Sequence, residues 1–254
     1  MKTATILVLA AISLSLAGCV SGPRKPGLND EKNPQHQYEK AVLALRYGLP
    51  DEALKYVELA LSLDAGHYPS AFLLAVIQIQ KKNFSQAAAA LEKCVELQPE
   101  SAEARSTLGA VYVELGQPEK AEAELLKSFS LDGNPRASFN LAKLYLQRKE
   151  FDRALEYIDK TTQKTGREAA AYNLKGIVLN ELKRYPEAAL NYQAALAVTP
   201  NDPNIMINLG IAYLNSGEKA KARQSFEEAL PLIKDPALQE KVNGYLKLIK
   251  EPSP

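Results

Sequence analysis

The stretch that decides the fold is NLKGIVLNELKRYPEAAL (residues 173–190), which is followed by the related stretch NLGIAYLNSGEKAKAR (residues 208–223). Gly176 and Gly210 are 34 residues apart, and so are Ala188 and Ala222. A fixed internal period of about 20–50 residues indicates a repeat array. Extending this period in both directions gives six units, at residues 34–67, 68–101, 102–134, 135–168, 169–202 and 203–236.

Each unit has small, large and helix-breaking residues at the same positions. The eighth position holds Ala41, Ala75, Gly109, Ala142, Gly176 and Gly210, and the twentieth holds Ala53, Ala87, Ala121, Ala154, Ala188 and Ala222. The twenty-fourth position is large, with Val57, Leu91, Leu125, Ile158, Tyr192 and Phe226. This pattern predicts two helices per unit that cross at the small residues, because larger side chains would overpack the crossing. We expect the second helix of each unit to end at Gly66, Pro99, Gly133, Gly166, Pro200 or Pro236.

The period and this pattern resemble the tetratricopeptide repeat, or TPR. The resemblance implies an all-α fold, a TPR superhelical solenoid of six repeats over residues 34–236. Residues 237–250 predict a capping helix for the last repeat, because their apolar residues fall on one helical stripe. These residues are Leu238, Val242, Tyr245 and Ile249. Residues 251–254 are expected to form a loose tail.

The N-terminus predicts a lipid anchor. Lys2 precedes a twelve-residue apolar run, which is the layout of a signal peptide at residues 1–18. The run would span only about 18 Å as a helix, too short for a bilayer. The sequence Leu16-Ala17-Gly18-Cys19 resembles the bacterial lipobox, which implies lipidation of Cys19. An ordinary secretory peptide with an incidental cysteine remains the alternative.

The lipobox resemblance also implies a location. Val20 stands where aspartate would retain such a lipoprotein in the inner membrane, so the resemblance implies a lipid-anchored, periplasm-facing protein of the outer membrane. Residues 19–33 would then be the lipidated cysteine and a flexible tether. This segment is rich in Pro, Gly and charged residues and has no apolar periodicity.

Composition and motifs argue against several classes of function. Removal of the first 18 of 254 residues takes away Lys2 and leaves 30 basic and 30 acidic residues. The formal net charge is then zero, and no excess of basic residues indicates a nucleic-acid partner. His36 and His67 have no partners at metal-ligand spacing, and no catalytic motif is present. Cys94 occupies the twenty-seventh repeat position, where other units carry small residues, so we expect it to be buried. These observations predict no enzyme activity, metal, cofactor or small-molecule substrate.

The TPR resemblance implies that a concave groove, lined by the first helix of each unit, binds a protein partner. The pair of Lys and Asn residues that clamps a C-terminal carboxylate in some TPR proteins is missing. Asparagine can both donate to and accept from a peptide backbone, so Asn140, Asn173 and Asn208 are expected to form a row along an extended partner segment. Solvated polar side chains are the alternative. The predicted groove residues are Tyr38, Phe72, Val76, Ile79, Phe139, Asn140, Lys143, Asn173, Asn180, Ile207, Asn208, Ile211 and Asn215.

A lipobox followed by six TPRs is similar to the pilotin family of type IV pilus systems. This resemblance implies a non-enzymatic scaffold that helps a secretin channel to reach and assemble in the outer membrane. Its partner would be an extended protein segment or an envelope assembly component such as the secretin. Two alternatives stay open: a scaffold for outer-membrane β-barrel assembly or peptidoglycan enzymes, and an enzyme with an unrecognised site.

Overall fold

The computed structural model describes residues 30–166 and 168–250. The chain divides into two compact units, residues 1–132 and residues 133–254, and each is described separately. The signal peptide at residues 1–18, Cys19, the tether up to residue 29 and the tail at residues 251–254 lie outside the described residues.

The first unit contains three helical hairpins. A 3-10 turn at Asp30–Lys32 precedes them. Asn33 caps the first helix by accepting a hydrogen bond from the backbone N–H of Gln35, and Ser101 caps the fifth by accepting from Ala104. The helices are α1 (Pro34–Arg46), α2 (Pro50–Leu63), α3 (Tyr68–Gln80), α4 (Phe84–Leu97), α5 (Ala102–Glu114) and α6 (Pro118–Asp132).

The second unit contains three more hairpins and a final helix. Its hairpin helices are α7 (Pro135–Gln147), α8 (Phe151–Thr165), α9 (Ala169–Glu181), α10 (Tyr185–Val198), α11 (Pro203–Asn215) and α12 (Lys219–Ala229). A 3-10 turn at Leu230–Leu232 leads to α13 (Pro236–Lys250). The described residues are therefore helical hairpins, and the prediction of an all-α tetratricopeptide-repeat fold is confirmed.

One predicted helix end is wrong. Pro236 was expected to end the second helix of the sixth repeat, yet α12 ends at Ala229 and Pro236 is the first residue of α13. Proline suits that position because its missing N–H would have no partner in the first helical turn anyway. The other five predicted breakers follow the ends of α2, α4, α6, α8 and α10.

The two helices of each repeat cross closely at the eighth position. A Cβ atom on Gly176 would lie 2.6 Å from Cε1 of Tyr192, and one on Gly210 would lie 2.6 Å from Cε1 of Phe226. A Cβ atom on Gly109 would lie 2.5 Å from Cγ of Leu125. The two aromatic residues at the twenty-fourth position thus occupy the space that a Cβ would need, which is why the eighth position in those repeats is glycine.

The final helix covers the apolar edge of the sixth repeat. Val242 and Ile249 are buried, and Leu238 and Tyr245 are half-buried. The ring of Tyr245 stacks on Phe226, with centroids 5.2 Å apart and an interplanar angle of 12°. The apolar stripe of α13 therefore packs against the side chain that fills the crossing of the last hairpin.

Candidate protein-binding surface

Two of the three asparagines predicted to form a row are in contact. Asn173 lies on α9 and Asn208 lies on α11, and both side chains are half-buried. Nδ2 of Asn208 donates a hydrogen bond to Oδ1 of Asn173 at 3.2 Å. This contact uses one group of each amide. It leaves the Nδ2 donor of Asn173 and the Oδ1 acceptor of Asn208 available to a third group.

The remaining predicted residues of the second unit differ in exposure. Among the described residues, no hydrogen bond joins Asn140 to the Asn173–Asn208 pair, although Asn140 is half-buried like them. Lys143 and Asn215 are exposed, whereas Phe139 and Ile211 are half-buried and pack against core clusters. Asn180 is half-buried, and its enclosed Oδ1 has no hydrogen-bond partner in the described chain.

Two predicted residues of the first unit, Tyr38 and Phe72, contact neighbouring aromatic rings. The ring of Tyr38 meets His67 edge-on, with centroids 6.0 Å apart, and Phe72 stacks on Tyr68 at 6.2 Å. Burial raises the pKa of the Tyr38 and Tyr68 hydroxyls, so both stay protonated and can donate hydrogen bonds at neutral pH. Ile79 is half-buried.

Two predicted groove residues lie in the core instead. Val76 on α3 is 2% exposed and Ile207 on α11 is 5% exposed. Ile207 belongs to the same core cluster as Leu179 and Ala212. Burying an apolar side chain is worth about 1.5–3 kcal/mol, which favours these positions inside the helix packing over a solvent-facing groove. Neither side chain offers surface to a partner.

The sequence did not reveal the polar contacts that connect the start of one hairpin with the start of the next. Nδ1 of His67 lies 2.8 Å from Oγ of Ser70, and its Nε2 lies 3.3 Å from Oε1 of Gln35 on α1. In the next repeat the hydroxyl of Tyr68 lies 2.8 Å from Oγ of Ser101. These partners are 32 and 33 residues apart, so only the 34-residue period could have suggested that they meet. His67 serves here as a bridge between repeats.

The described chain offers little for catalysis. Cys94 is fully buried, and burial raises the pKa of its thiol to about 12, which removes the reactive thiolate at neutral pH. No group of three or more His, Cys, Asp or Glu residues in the described ranges could hold a metal ion. Within the same ranges, none of the helices has both the length and the apolar character needed to cross a bilayer.

Family profiles match most of the repeat region. Profiles described as "Tetratricopeptide repeat" match residues 79–128, 109–166 and 203–235, and a profile described as "TPR repeat" matches residues 176–217. These matches begin within the second repeat and end within the sixth.

Two curated relatives have similar sequences. The BBSome complex member BBS4 homolog of Drosophila melanogaster is 24% identical over 190 residues, which cover 74% of this chain and 39% of the relative. The type IV pilus assembly protein PilF of Pseudomonas aeruginosa is 24% identical over 152 residues, which cover 59% of this chain and 60% of the relative. The chain thus matches less than two thirds of the length of either relative.

Solved structures show the same fold. A chain of the APC/C hetero-tetramer Cut9–Hcn1 has a TM-score of 0.71 at 19% identity, over 96% of this chain and 46% of its own. The structure of Pseudomonas aeruginosa pilF has a TM-score of 0.62 at 19% identity, over 73% of this chain and 89% of its own. The helical hairpins, the family profiles and these neighbours agree, and the chain is a tetratricopeptide-repeat protein that resembles the pilus assembly protein PilF.

Proposed function

We propose that this TPR protein holds an extended segment of another protein on the second unit, at the Asn173–Asn208 pair. The observation that carries this proposal is the hydrogen bond between the two amides, because it gives both side chains a defined orientation. A partner backbone would accept a hydrogen bond from Nδ2 of Asn173 and donate one to Oδ1 of Asn208. Such contacts depend on the backbone alone and tolerate many side chains in the partner.

We further propose that the chain works at the outer membrane, facing the periplasm, with Cys19 as its lipid anchor. The lipobox-like sequence Leu16-Ala17-Gly18-Cys19 supports this location, and Val20 supports sorting to the outer membrane. Each buried methylene of an acyl chain contributes about 0.8 kcal/mol, so several chains on one residue make a stable anchor.

The proposed partner is a secretin of a type IV pilus system. The similarity to PilF supports this choice, as does the combination of a lipobox with six repeats. A scaffold for outer-membrane β-barrel assembly or for peptidoglycan enzymes is the second candidate, because the TPR motifs are shared by proteins of many functions.

The anchor is tested with Cys19→Ser, because a serine oxygen cannot form the thioether that lipidation requires. We expect the variant to take up no radiolabelled palmitate and to disappear from outer-membrane fractions. Equal labelling of the variant and the unaltered chain would refute the anchor.

The partner is tested by deleting the gene and following three envelope products in parallel: secretin multimers, folded outer-membrane barrels and peptidoglycan cross-links. Loss of secretin multimers alone supports the pilus assignment. Loss of either other product with normal secretin multimers would replace it with the second candidate.

A further inference from the structure

The first repeat exposes more large apolar side chains than any other repeat in the described chain. Five of the nine exposed large apolar side chains in the described chain lie between residues 43 and 63. Leu43 is 50% exposed, Tyr47 is 74% exposed and Leu49 is 47% exposed, all near the turn between α1 and α2. Leu59 on α2 is 41% exposed. We call the three residues near the turn, Leu43, Tyr47 and Leu49, the apolar face of the first repeat.

Comparison with the other repeats shows two causes of this exposure. Leu43 occupies the tenth repeat position, where every later repeat has a buried apolar residue, and no helix among the described residues precedes α1 to cover it. Leu49 and Leu59 occupy the sixteenth and twenty-sixth positions. The sixteenth position elsewhere holds Asn83, Gln117, Glu150, Arg184 and Glu218, and the twenty-sixth holds Lys93, Lys127, Lys160, Ala194 and Glu228. Leucine at both positions is a feature of the first repeat alone.

A terminal repeat ordinarily presents a polar outer surface, because an exposed apolar one promotes association. At the other end of the chain, α13 covers the last hairpin. Before the first hairpin, the described residues contain only the short turn at Asp30–Lys32. A hydrogen bond from Nε2 of Gln37 to the backbone oxygen of Glu31 at 2.8 Å and a Lys40–Glu31 ion pair at 2.7 Å hold this turn. Within the described residues, the apolar face is therefore uncovered.

The length of chain before the first repeat indicates what that occupant is. Asp30 lies eleven positions after Cys19, and a fully extended chain of that length reaches at most about 40 Å. Tyr47 lies thirteen positions after Pro34, which corresponds to a rise of about 20 Å along the helix. An acyl anchor on Cys19 therefore leaves the apolar face within reach of the bilayer to which the chain is attached.

The chemistry of the face fits a lipid interface. Tyrosine is favoured at the headgroup level because its ring is apolar and its hydroxyl is polar. Arg46 is exposed beside Tyr47 and can extend its guanidinium to the headgroups. Nearby charges balance, because three basic residues (Arg46, Lys55 and Lys81) accompany three acidic residues (Asp51, Glu52 and Glu58). Contact by apolar insertion is therefore expected to be independent of anionic lipid.

We propose that the apolar face of the first repeat lies on the surface of the membrane that holds the lipid anchor. The chain would then contact the bilayer at two places, the acyl chains on Cys19 and the apolar face. This inference rests on the anchor at Cys19 proposed above.

The absence of tryptophan from the chain allows a direct test. The lipidated protein is purified with Tyr47→Trp and placed in phosphatidylcholine vesicles that carry brominated acyl chains. The matched control is Leu190→Trp, at a position on α10 that is 65% exposed. We expect the tryptophan at position 47 to shift its emission to the blue and to be quenched by bromine. The control should show neither change, and added phosphatidylglycerol should make no difference.

Emission from position 47 that matches the control, with no quenching, would overturn the proposal and leave the face to a protein. Intact mass separates this outcome from failure of the anchor, because it reports the acyl chains directly. Should they be absent, a maleimide-linked lipid on Cys19 restores the anchor, and the contact at position 47 is still measured. The buried thiol of Cys94 does not compete for the reagent.

Discussion

At the scale of the residue, the packing of each hairpin depends on the eighth and twenty-fourth repeat positions. We predict that Gly210→Ala destabilises the sixth hairpin by about 1–3 kcal/mol, because the new Cβ would lie 2.6 Å from the ring of Phe226. Urea denaturation followed by circular dichroism measures this change. An unaltered free energy of unfolding would show that the ring can move aside.

Gly244, which lies in the capping helix, serves as the control for Gly210. Gly244 is in the middle of α13, and a Cβ there would have no other atom within 4 Å. We predict that Gly244→Ala stabilises the protein by about 0.5–1 kcal/mol, because glycine loses more backbone entropy than alanine on forming a helix. The same denaturation experiment should therefore give opposite signs for the two glycines. A loss of stability at position 244 would argue that α13 is not a regular helix.

At the scale of the element, each hairpin turn contains a residue with positive φ. Gly116 has φ +67° and Lys149 has φ +61° at the equivalent position of the next repeat. The backbone N–H of Lys149 donates to the carbonyl of Leu146 at 3.0 Å, and that of Glu150 donates to Tyr145 at 2.8 Å. These bonds satisfy carbonyls at the end of α7, so the turn keeps this conformation even with a lysine.

Replacing Lys149 with glycine and replacing Gly116 with lysine are predicted to change the free energy of unfolding in opposite directions. A left-handed conformation costs a residue with a Cβ about 1–2 kcal/mol, and a lower entropy in the unfolded chain offsets part of that cost. We expect Lys149→Gly to raise the free energy of unfolding by up to about 1 kcal/mol, and Gly116→Lys to lower it by a similar amount. A Cβ at position 116 would have no atom within 4 Å, so the Gly116→Lys variant tests only the cost of the left-handed backbone conformation. A shift of the melting temperature in the same direction for both variants would contradict this prediction.

The sequence was sufficient to predict the hairpins because a close helix crossing admits only Gly or Ala at the eighth position, and this constraint recurs every 34 residues. The period also predicted a row of Asn140, Asn173 and Asn208, but not the hydrogen bond between Asn173 and Asn208. The core positions of Val76 and Ile207 did not, because an apolar residue on the first helix can face either a groove or a neighbouring helix. The bridge at His67 depends on side-chain directions that no residue pattern specifies.

At the scale of the whole molecule, we propose that different repeats have different tasks. The first repeat would contact the membrane through Tyr47 and its apolar neighbours, and the fifth and sixth would hold the partner through Asn173 and Asn208. The residues proposed for each task lie within one compact unit. A change at the asparagine pair should therefore leave the anchoring of the chain intact, and a change at position 47 should leave the asparagine contact intact.

The most direct test of the central claim is the double variant Asn173→Ala/Asn208→Ala, introduced into the chromosomal gene. Alanine is the better helix former, so the fold and the abundance of the protein in the membrane should be preserved. Two lost hydrogen bonds at about 0.5–1.5 kcal/mol each weaken partner binding by about 5-fold to 150-fold. The control is Asn191→Ala, because among the described residues the side chain of Asn191 bonds only to the carbonyl of Glu187 in its own helix.

The measurement is the amount of assembled secretin multimer in outer-membrane fractions, normalised to the abundance of each TPR variant. We predict that the secretin multimers fall steeply in the double variant and remain normal with Asn191→Ala. Normal multimers in the double variant, at normal abundance, would contradict the claim that the Asn173–Asn208 pair holds the partner.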